Sequence, residues 1–74
     1  MDNQHKHIKG YRDLSQEEID KINKIKNTGE ALRILVEELK TTDSTDKRWV
    51  SIGNTHLQEG IMALVRSVAK PESF

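Results

Sequence analysis

Apolar residues recur every three or four positions in two stretches of the chain, and a short polar segment separates the two stretches. This spacing is typical of amphipathic α-helices, because residues three and four apart share one face of a helix. The row in the first stretch consists of Ile19, Ile22, Ile25, Gly29, Leu32, Val36 and Leu39, widened by Leu35. The row in the second stretch consists of Trp49, Ile52, Leu57, Ile61, Leu64, Val65 and Val68. The pattern predicts helices over about 16–40 and about 47–69.

The ends of both predicted helices carry sequence signals. Ser15 and Glu18 have the spacing of a capping box, in which each side chain accepts a hydrogen bond from the other residue's backbone N–H. The segment 41–46 has no apolar residue and offers side chains that cap the next helix. Pro71 ends the second helix, because proline has no N–H to donate. We therefore expect an all-α fold, with a short N-terminal segment followed by an antiparallel two-helix hairpin.

Length and composition indicate that one copy of the chain has a small core. The 74 residues suffice for a single helical domain over 1–74, and residues 1–8 show no periodicity and are expected to form a mobile arm. A domain of this size buries only about 60% of the surface that its unfolded chain exposes. The chain has no cysteine, so no disulfide can reinforce it. Val50, Met62 and Ala63 lie outside the main apolar row and leave surface for neighbouring copies, so we expect a helical homo-oligomer.

Three residues of the second helix are expected to have structural roles. Gly53 and Gly60 lie two turns apart on nearly the same side, where each weakens an isolated helix by about 1 kcal/mol relative to alanine. We expect another helix or a ligand to approach the backbone closely there. Trp49 shares a face with Ile52 near the start of the helix, and we expect its ring to cover the open end of the hairpin core.

The charge balance and hydropathy exclude several kinds of partner. Twelve basic and twelve acidic side chains give a net charge of zero, which argues against binding to long DNA or RNA. The start of the chain has no apolar signal region, and no apolar run approaches the roughly 20 residues that span a bilayer. We expect a soluble intracellular protein that binds neither membranes nor long nucleic acids, so that any phosphate site is local.

The segment before the first helix concentrates groups that suit a flat, anionic ligand. Tyr11 is the only tyrosine of the chain, and Lys9, Gly10 and Arg12 surround it. An aromatic ring can stack on a nucleobase while neighbouring cations neutralise phosphate. The alternative is structural, because Tyr11 can pack on the first helical turn as a hydrophobic staple and the two cations can pair with nearby carboxylates.

Residues with metal-binding or acid–base chemistry are scattered. His5 and His7 have only Asp2 nearby, whereas a stable metal site normally needs three or four ligands. His56 has no second ligand four residues away, and we expect it to be a buried hydrogen-bonding residue of the oligomer. The acidic residues spread around the first helix are Glu17, Glu18, Asp20, Glu30, Glu37 and Glu38. They do not form the cluster that a metal-dependent phosphodiesterase uses. We therefore expect no metal, no cofactor and no enzymatic activity.

Two segments carry a resemblance to a known family. They are IKGYRDL at 8–14 and RWVSIGNTHLQEGIMALVR at 48–66, joined by the predicted hairpin. With them, the chain from Ile8 to Pro71 resembles the small phage anti-CBASS sponge proteins. The resemblance implies a phage protein in the cytoplasm of the infected bacterium, which sequesters cyclic dinucleotide messengers without cleaving them and so blocks CBASS antiviral signalling. It also implies a hexamer built from interlocked dimers, with pockets shared between protomers, and a separate cyclic trinucleotide site in some members.

The resemblance also implies roles for three residues. Tyr11 matches the aromatic residue that stacks on a base, and Lys26 matches a cation that faces the phosphates. Arg66 is the candidate for a trinucleotide site. Without the resemblance, Lys26 would be interpreted as a solvated surface lysine. Thr28 follows Lys26 by two positions and can add a hydrogen bond. The full set of candidate ligand-binding residues is Tyr11, Lys26, Thr28, Arg12, Lys9 and Arg66.

Two other classes of function stay open from the sequence. A nuclease would return the messenger as a linear product, but the carboxylates and histidines it needs are not clustered. A small helical oligomeric interaction or DNA-binding module is the other alternative. The basic residues of the second helix, Lys47, Arg48 and Arg66, are spread over its length rather than gathered as a recognition surface.

Overall fold

The computed structural model describes residues 13–72, and these form two α-helices joined by a short loop. Helix α1 spans Gln16–Lys40 and helix α2 spans Lys47–Ala69. The chain reverses direction between them, so that α2 packs back along α1 and Ile61 contacts the backbone at Gly29. The all-α two-helix hairpin predicted from the apolar spacing is confirmed.

Side-chain caps fix the start of each helix. In the capping box of α1, the Ser15 N–H donates to Glu18 Oε1 at 2.9 Å and the Glu18 N–H donates to Ser15 Oγ at 3.2 Å. At the start of α2, the Asp46 carboxylate accepts hydrogen bonds from the N–H groups of Arg48 at 3.0 Å and Trp49 at 3.3 Å. These bonds satisfy N–H groups that have no partner within the helix.

The loop is held by polar groups that bond to the last carbonyls of α1. The Thr45 hydroxyl donates to the carbonyls of Leu39 at 2.6 Å and Thr42 at 2.9 Å. The Lys47 ammonium also donates to both of these carbonyls. A cation at this place interacts favourably with the negative end of the α1 dipole. The polar segment between the helices is therefore a structured turn.

Helix α2 ends in a left-handed residue immediately before the proline. Lys70 has φ 44° and ψ 59°, and its N–H donates to the Arg66 carbonyl at 2.8 Å. A residue in this conformation is a common way to end a helix, and glycine is the usual occupant because it has no Cβ. The helix therefore ends with the left-handed turn at Lys70, one residue before Pro71.

The core between the helices is thin. In the part of the chain that the structure describes, only Ile22 and Val36 are buried apolar residues, with 9% and 6% of their surface exposed. The helices pack closely at Gly29, where an added methyl group would lie 3.3 Å from Ile61 Cγ2. Large apolar side chains that stay exposed are Ile19, Ile34, Leu35, Trp49, Leu57, Met62 and Leu64. One copy of the hairpin thus leaves seven large apolar side chains of residues 13–72 exposed.

Several expectations for α2 change with the structure. Trp49 is 61% exposed, so the prediction that it covers the end of the hairpin core is wrong; its ring instead lies 5.5 Å from the guanidinium of Arg48. His56 is also exposed, with Nδ1 3.2 Å from Glu59 Oε1. A methyl group added at Gly53 or Gly60 would meet no atom within 4 Å. A close approach at these two glycines therefore stays a prediction about another copy or a ligand.

Neither helix within residues 13–72 combines the length and the apolar character that crossing a membrane requires.

Candidate functional site

A groove of about 400 Å³ runs along one side of the hairpin, between α1 and α2. Its lining from α1 consists of Lys26, Gly29, Glu30, Leu32, Arg33 and Val36, and its lining from α2 consists of Asn54, Leu57, Gln58, Ile61 and Met62. Val36 and Ile61 are among its apolar residues, and Gly29 opens it because it has no side chain. Polar side chains from both helices also line it.

The helical repeat brings the polar residues of α1 to one edge of the groove. Lys26, Glu30 and Arg33 follow one another at spacings of four and three, which places them on the same side of α1. On α2, Asn54 and Gln58 are four apart and face the groove from the opposite wall. The groove therefore combines an apolar surface with two cations, one carboxylate and two amides.

Arg33 and Glu30 form an ion pair in which the guanidinium contacts both carboxylate oxygens. Arg33 Nε lies 3.1 Å from each oxygen, and Nη2 lies 2.6 Å from Oε1. The hydrogen bonds and charge of Arg33 lower the pKa of the Glu30 carboxyl, and those of Glu30 raise the pKa of the Arg33 guanidinium.

Lys26 has no ion pair with any residue in 13–72. Its charge is thus available at the groove.

The structure separates two candidates that are close in sequence. Lys26 lines the groove and Thr28 does not. Two positions along an α-helix correspond to a rotation of about 200°, so the two side chains leave α1 on different sides. The Thr28 hydroxyl donates to the Lys24 carbonyl at 3.0 Å. Thr28 therefore lies outside this groove in one copy of the hairpin, and its role in ligand binding stays a prediction.

Arg66 is exposed on α2 outside the groove lining. It follows Met62 by four residues, so it continues the same side of the helix one turn beyond the groove. The other candidates, Tyr11, Lys9 and Arg12, lie outside the described residues, as do residues 1–8.

Sequence reasoning missed several polar groups of the groove. Glu30 entered it only as one of several scattered acidic residues, and Asn54 and Gln58 entered it only within the segment 48–66 that carries the resemblance. Arg33 did not enter it. A signal was present, since Arg33 follows Lys26 by seven residues and therefore shares its helix edge. The contribution of α2 depends on how the two helices align, which no local pattern specifies.

The arrangement can bind a molecule but offers little for catalysis. Within residues 13–72, no group of three histidine, aspartate or glutamate side chains is close enough to hold a metal ion. An apolar surface with amides and cations suits a ligand that has flat faces, hydrogen-bonding edges and negative charge. The fold and the groove together define a helical-hairpin protein with a groove whose size and lining suit a small molecule.

Comparison with known proteins identifies the family of this hairpin. The family model described as Acb2/Tad1, hairpin domain, matches residues 3–69. The chain is also 34% identical to Anti-CBASS protein 2 of Pseudomonas phage JBD67, in an alignment that covers 97% of this chain and 98% of that protein. The chain belongs to the Acb2/Tad1 hairpin family. The resemblance seen in the sequence is thus confirmed, and membership of a non-enzymatic family confirms that the chain is not an enzyme.

Proposed function

We propose that this protein is a phage-encoded sponge that binds cyclic dinucleotides without cleaving them and so blocks CBASS antiviral signalling in the cytoplasm of the infected bacterium. The observation that carries the proposal is the position of Lys26 in the groove of a hairpin that matches this family over 3–69. A cyclic dinucleotide has two base faces and two phosphodiester charges. The apolar groove surface, the amides of Asn54 and Gln58 and the charge of Lys26 suit these features.

The groove of one copy is open to solvent, and stacking on a base contributes only about 1–3 kcal/mol. We therefore propose that Tyr11 completes the site by stacking on a base, with Lys9 and Arg12 as further candidates for phosphate contact. A pocket shared between copies supplies more contacts than one hairpin can. This arrangement is needed because a sponge acts stoichiometrically and must bind its ligand tightly to lower the free concentration.

We further propose that the hairpin assembles into a homo-oligomer. The resemblance to the phage anti-CBASS sponge proteins implies that this oligomer is a hexamer. The exposed large apolar side chains of both helices support association, because large exposed apolar patches commonly mark protein–protein interfaces. Gly53 and Gly60 support it as well, since their backbone is open to a neighbouring helix. Arg66 is the proposed contact for cyclic trinucleotides at a separate site.

The test is a calorimetric titration of the purified protein against a panel of cyclic di- and trinucleotides, followed by denaturation and chromatography of the released ligand. We expect tight binding and recovery of the intact ring. Recovery of a linear dinucleotide would indicate a nuclease. Retardation of duplex DNA in a gel at low salt, without binding to any cyclic nucleotide, would favour the DNA-binding alternative.

Two lysines of α1 provide a matched comparison. Lys26 and Lys24 are both exposed, but only Lys26 lines the groove. Lys26→Gln should weaken dinucleotide binding, with an effect that shrinks at high salt, whereas Lys24→Gln should leave it unchanged. Equal effects of the two substitutions would show that the groove is not the binding site.

Tyr11→Ala should weaken binding without changing the helical content or the assembled mass.

A further inference from the structure

We infer that Arg33 is a second phosphate-binding cation of the groove, and that Glu30 holds it until an anionic ligand enters. The inference rests on the proposed function, because it concerns the ligand of the same site. It adds a residue outside the candidate set drawn from the sequence. It also assigns Glu30 the role of limiting the affinity for anions.

The position of Arg33 relative to Lys26 supports this role. The two residues are seven apart on one edge of α1, so their Cα atoms are separated by about 10 Å along the helix axis. Their long side chains can reach toward one another over the groove from either end. A ligand with two phosphodiester groups matches two cations better than one, and Lys26 alone leaves one phosphate charge without a partner from the groove.

The ion pair with Glu30 does not prevent Arg33 from binding a ligand phosphate. The side chains of Arg33 and Glu30 are 59% and 58% exposed, and ion pairs this accessible contribute little to stability because solvent screens them. A phosphate offers the guanidinium the same two-oxygen geometry as a carboxylate. Replacing the Glu30 carboxylate by a phosphate as the partner of Arg33 therefore requires little free energy.

The Glu30 carboxylate opposes the binding of an anion in the groove. Its carboxyl has a lowered pKa, so it stays ionised at neutral pH, and it lies between Lys26 and Arg33 along the edge of α1. The carboxylate competes with the ligand for Arg33 and leaves the groove with a net charge of one positive unit from its lining residues. Removing the carboxylate should release Arg33 and strengthen anion binding.

A second ion pair of α1 provides the control. Glu37 and Lys40 have the same i, i+3 spacing as Glu30 and Arg33 and similar exposure, but neither lines the groove. Of the ion pairs within residues 13–72, only Glu30–Arg33 has both members at the groove. The charge of Glu37 contributes to the raised pKa of Arg33, so the control substitution is Lys40→Gln, which changes the charge of the helix and leaves Glu37 and the groove residues in place.

The experiment measures the Kd of cyclic di-AMP and cyclic di-GMP by calorimetry for the full chain and its variants, at two salt concentrations. Arg33→Gln should weaken binding about tenfold, which corresponds to the loss of one charge-assisted hydrogen bond. Glu30→Gln should tighten binding several-fold, and the double variant should bind like Arg33→Gln. Lys40→Gln should bind like the unaltered protein. Circular dichroism and the assembled mass establish that each variant retains its structure.

The outcomes separate this inference from the proposed function. If Arg33→Gln binds normally while Lys26→Gln is weak, Arg33 is not a ligand contact, and the proposed function stands. If Glu30→Gln still tightens binding when Arg33 is absent, Glu30 acts by repelling the ligand directly, and the proposed coupling is wrong. If the unaltered protein binds no cyclic nucleotide, the proposed function fails first and this inference fails with it.

Discussion

Replacing glycine by alanine should stabilise the hairpin at Gly60 but not at Gly29. Glycine in a helix interior costs about 1 kcal/mol relative to alanine, because it loses more backbone freedom on folding. At Gly60 an added methyl group meets no atom within 4 Å, so Gly60→Ala should stabilise the hairpin by about 0.5–1 kcal/mol. For a domain of this size, 1 kcal/mol corresponds to a rise in Tm of about 4–8 °C.

At Gly29 the same methyl group meets a packed side chain. It would lie 3.3 Å from Ile61 Cγ2, 3.4 Å from Cγ1 and 3.5 Å from Cδ1. Ile61 must move to admit it, and such overpacking typically costs about 1–3 kcal/mol. Set against the gain of about 1 kcal/mol in helix propensity, Gly29→Ala should be neutral or destabilising by up to about 2 kcal/mol.

The assay is urea unfolding followed by circular dichroism, repeated over a range of protein concentrations because assembly makes stability concentration-dependent. In dilute solution, Gly60→Ala should be more stable than Gly29→Ala by about 1–3 kcal/mol. If another copy packs against Gly60, its advantage should fall or reverse as the concentration rises. Equal stabilisation by the two substitutions at low concentration would refute the reasoning, because it would mean that Ile61 does not pack against Gly29.

Three further predictions concern the helix ends and the groove. Asp46→Ala removes the cap of α2 and should cost about 1 kcal/mol in urea unfolding, and an unchanged midpoint would argue against the cap. Lys70→Gly relieves a left-handed backbone and should raise the unfolding free energy by about 1 kcal/mol; a fall would contradict the φ of 44°. Because Arg33 lowers the pKa of Glu30, the contribution of the pair is present above the usual value of 4.5 and is lost as pH falls through the lower folded-state pKa. Arg33→Gln should therefore be less stable than the unaltered protein at neutral pH and equally stable in strong acid, and a difference that persists in acid would exclude this origin.

The helices could be predicted from sequence because their signals are local. The capping box at Ser15, the cap at Asp46 and the three- and four-residue spacing of apolar positions each depend on neighbours within one or two turns. The same local signals led to the wrong prediction for Trp49. Its place in the apolar row indicates a helix face, but the row does not specify whether the chain itself or another molecule covers that face.

The groove was predictable only in part. Lys26 could be selected from the resemblance, whereas Arg33 required attention to the helical register and Gln58 required the alignment of two helices. Thr28 leaves α1 on a different side from Lys26 and does not line the groove of one hairpin, so its role in ligand binding stays a prediction. Tyr11 lies outside the described residues, so its role stays a prediction.

Within residues 13–72, Ile22 and Val36 are the only buried apolar side chains, and this small core has a consequence for the lifetime of the protein in the cell. If the hairpin assembles as proposed, it gains much of its stability from other copies, and mass action then links the folded fraction to the amount of protein synthesised. We expect early copies to be short-lived targets for proteases, with durable protein accumulating once synthesis passes a threshold. Pulse-chase half-lives that do not vary with expression level would contradict this view.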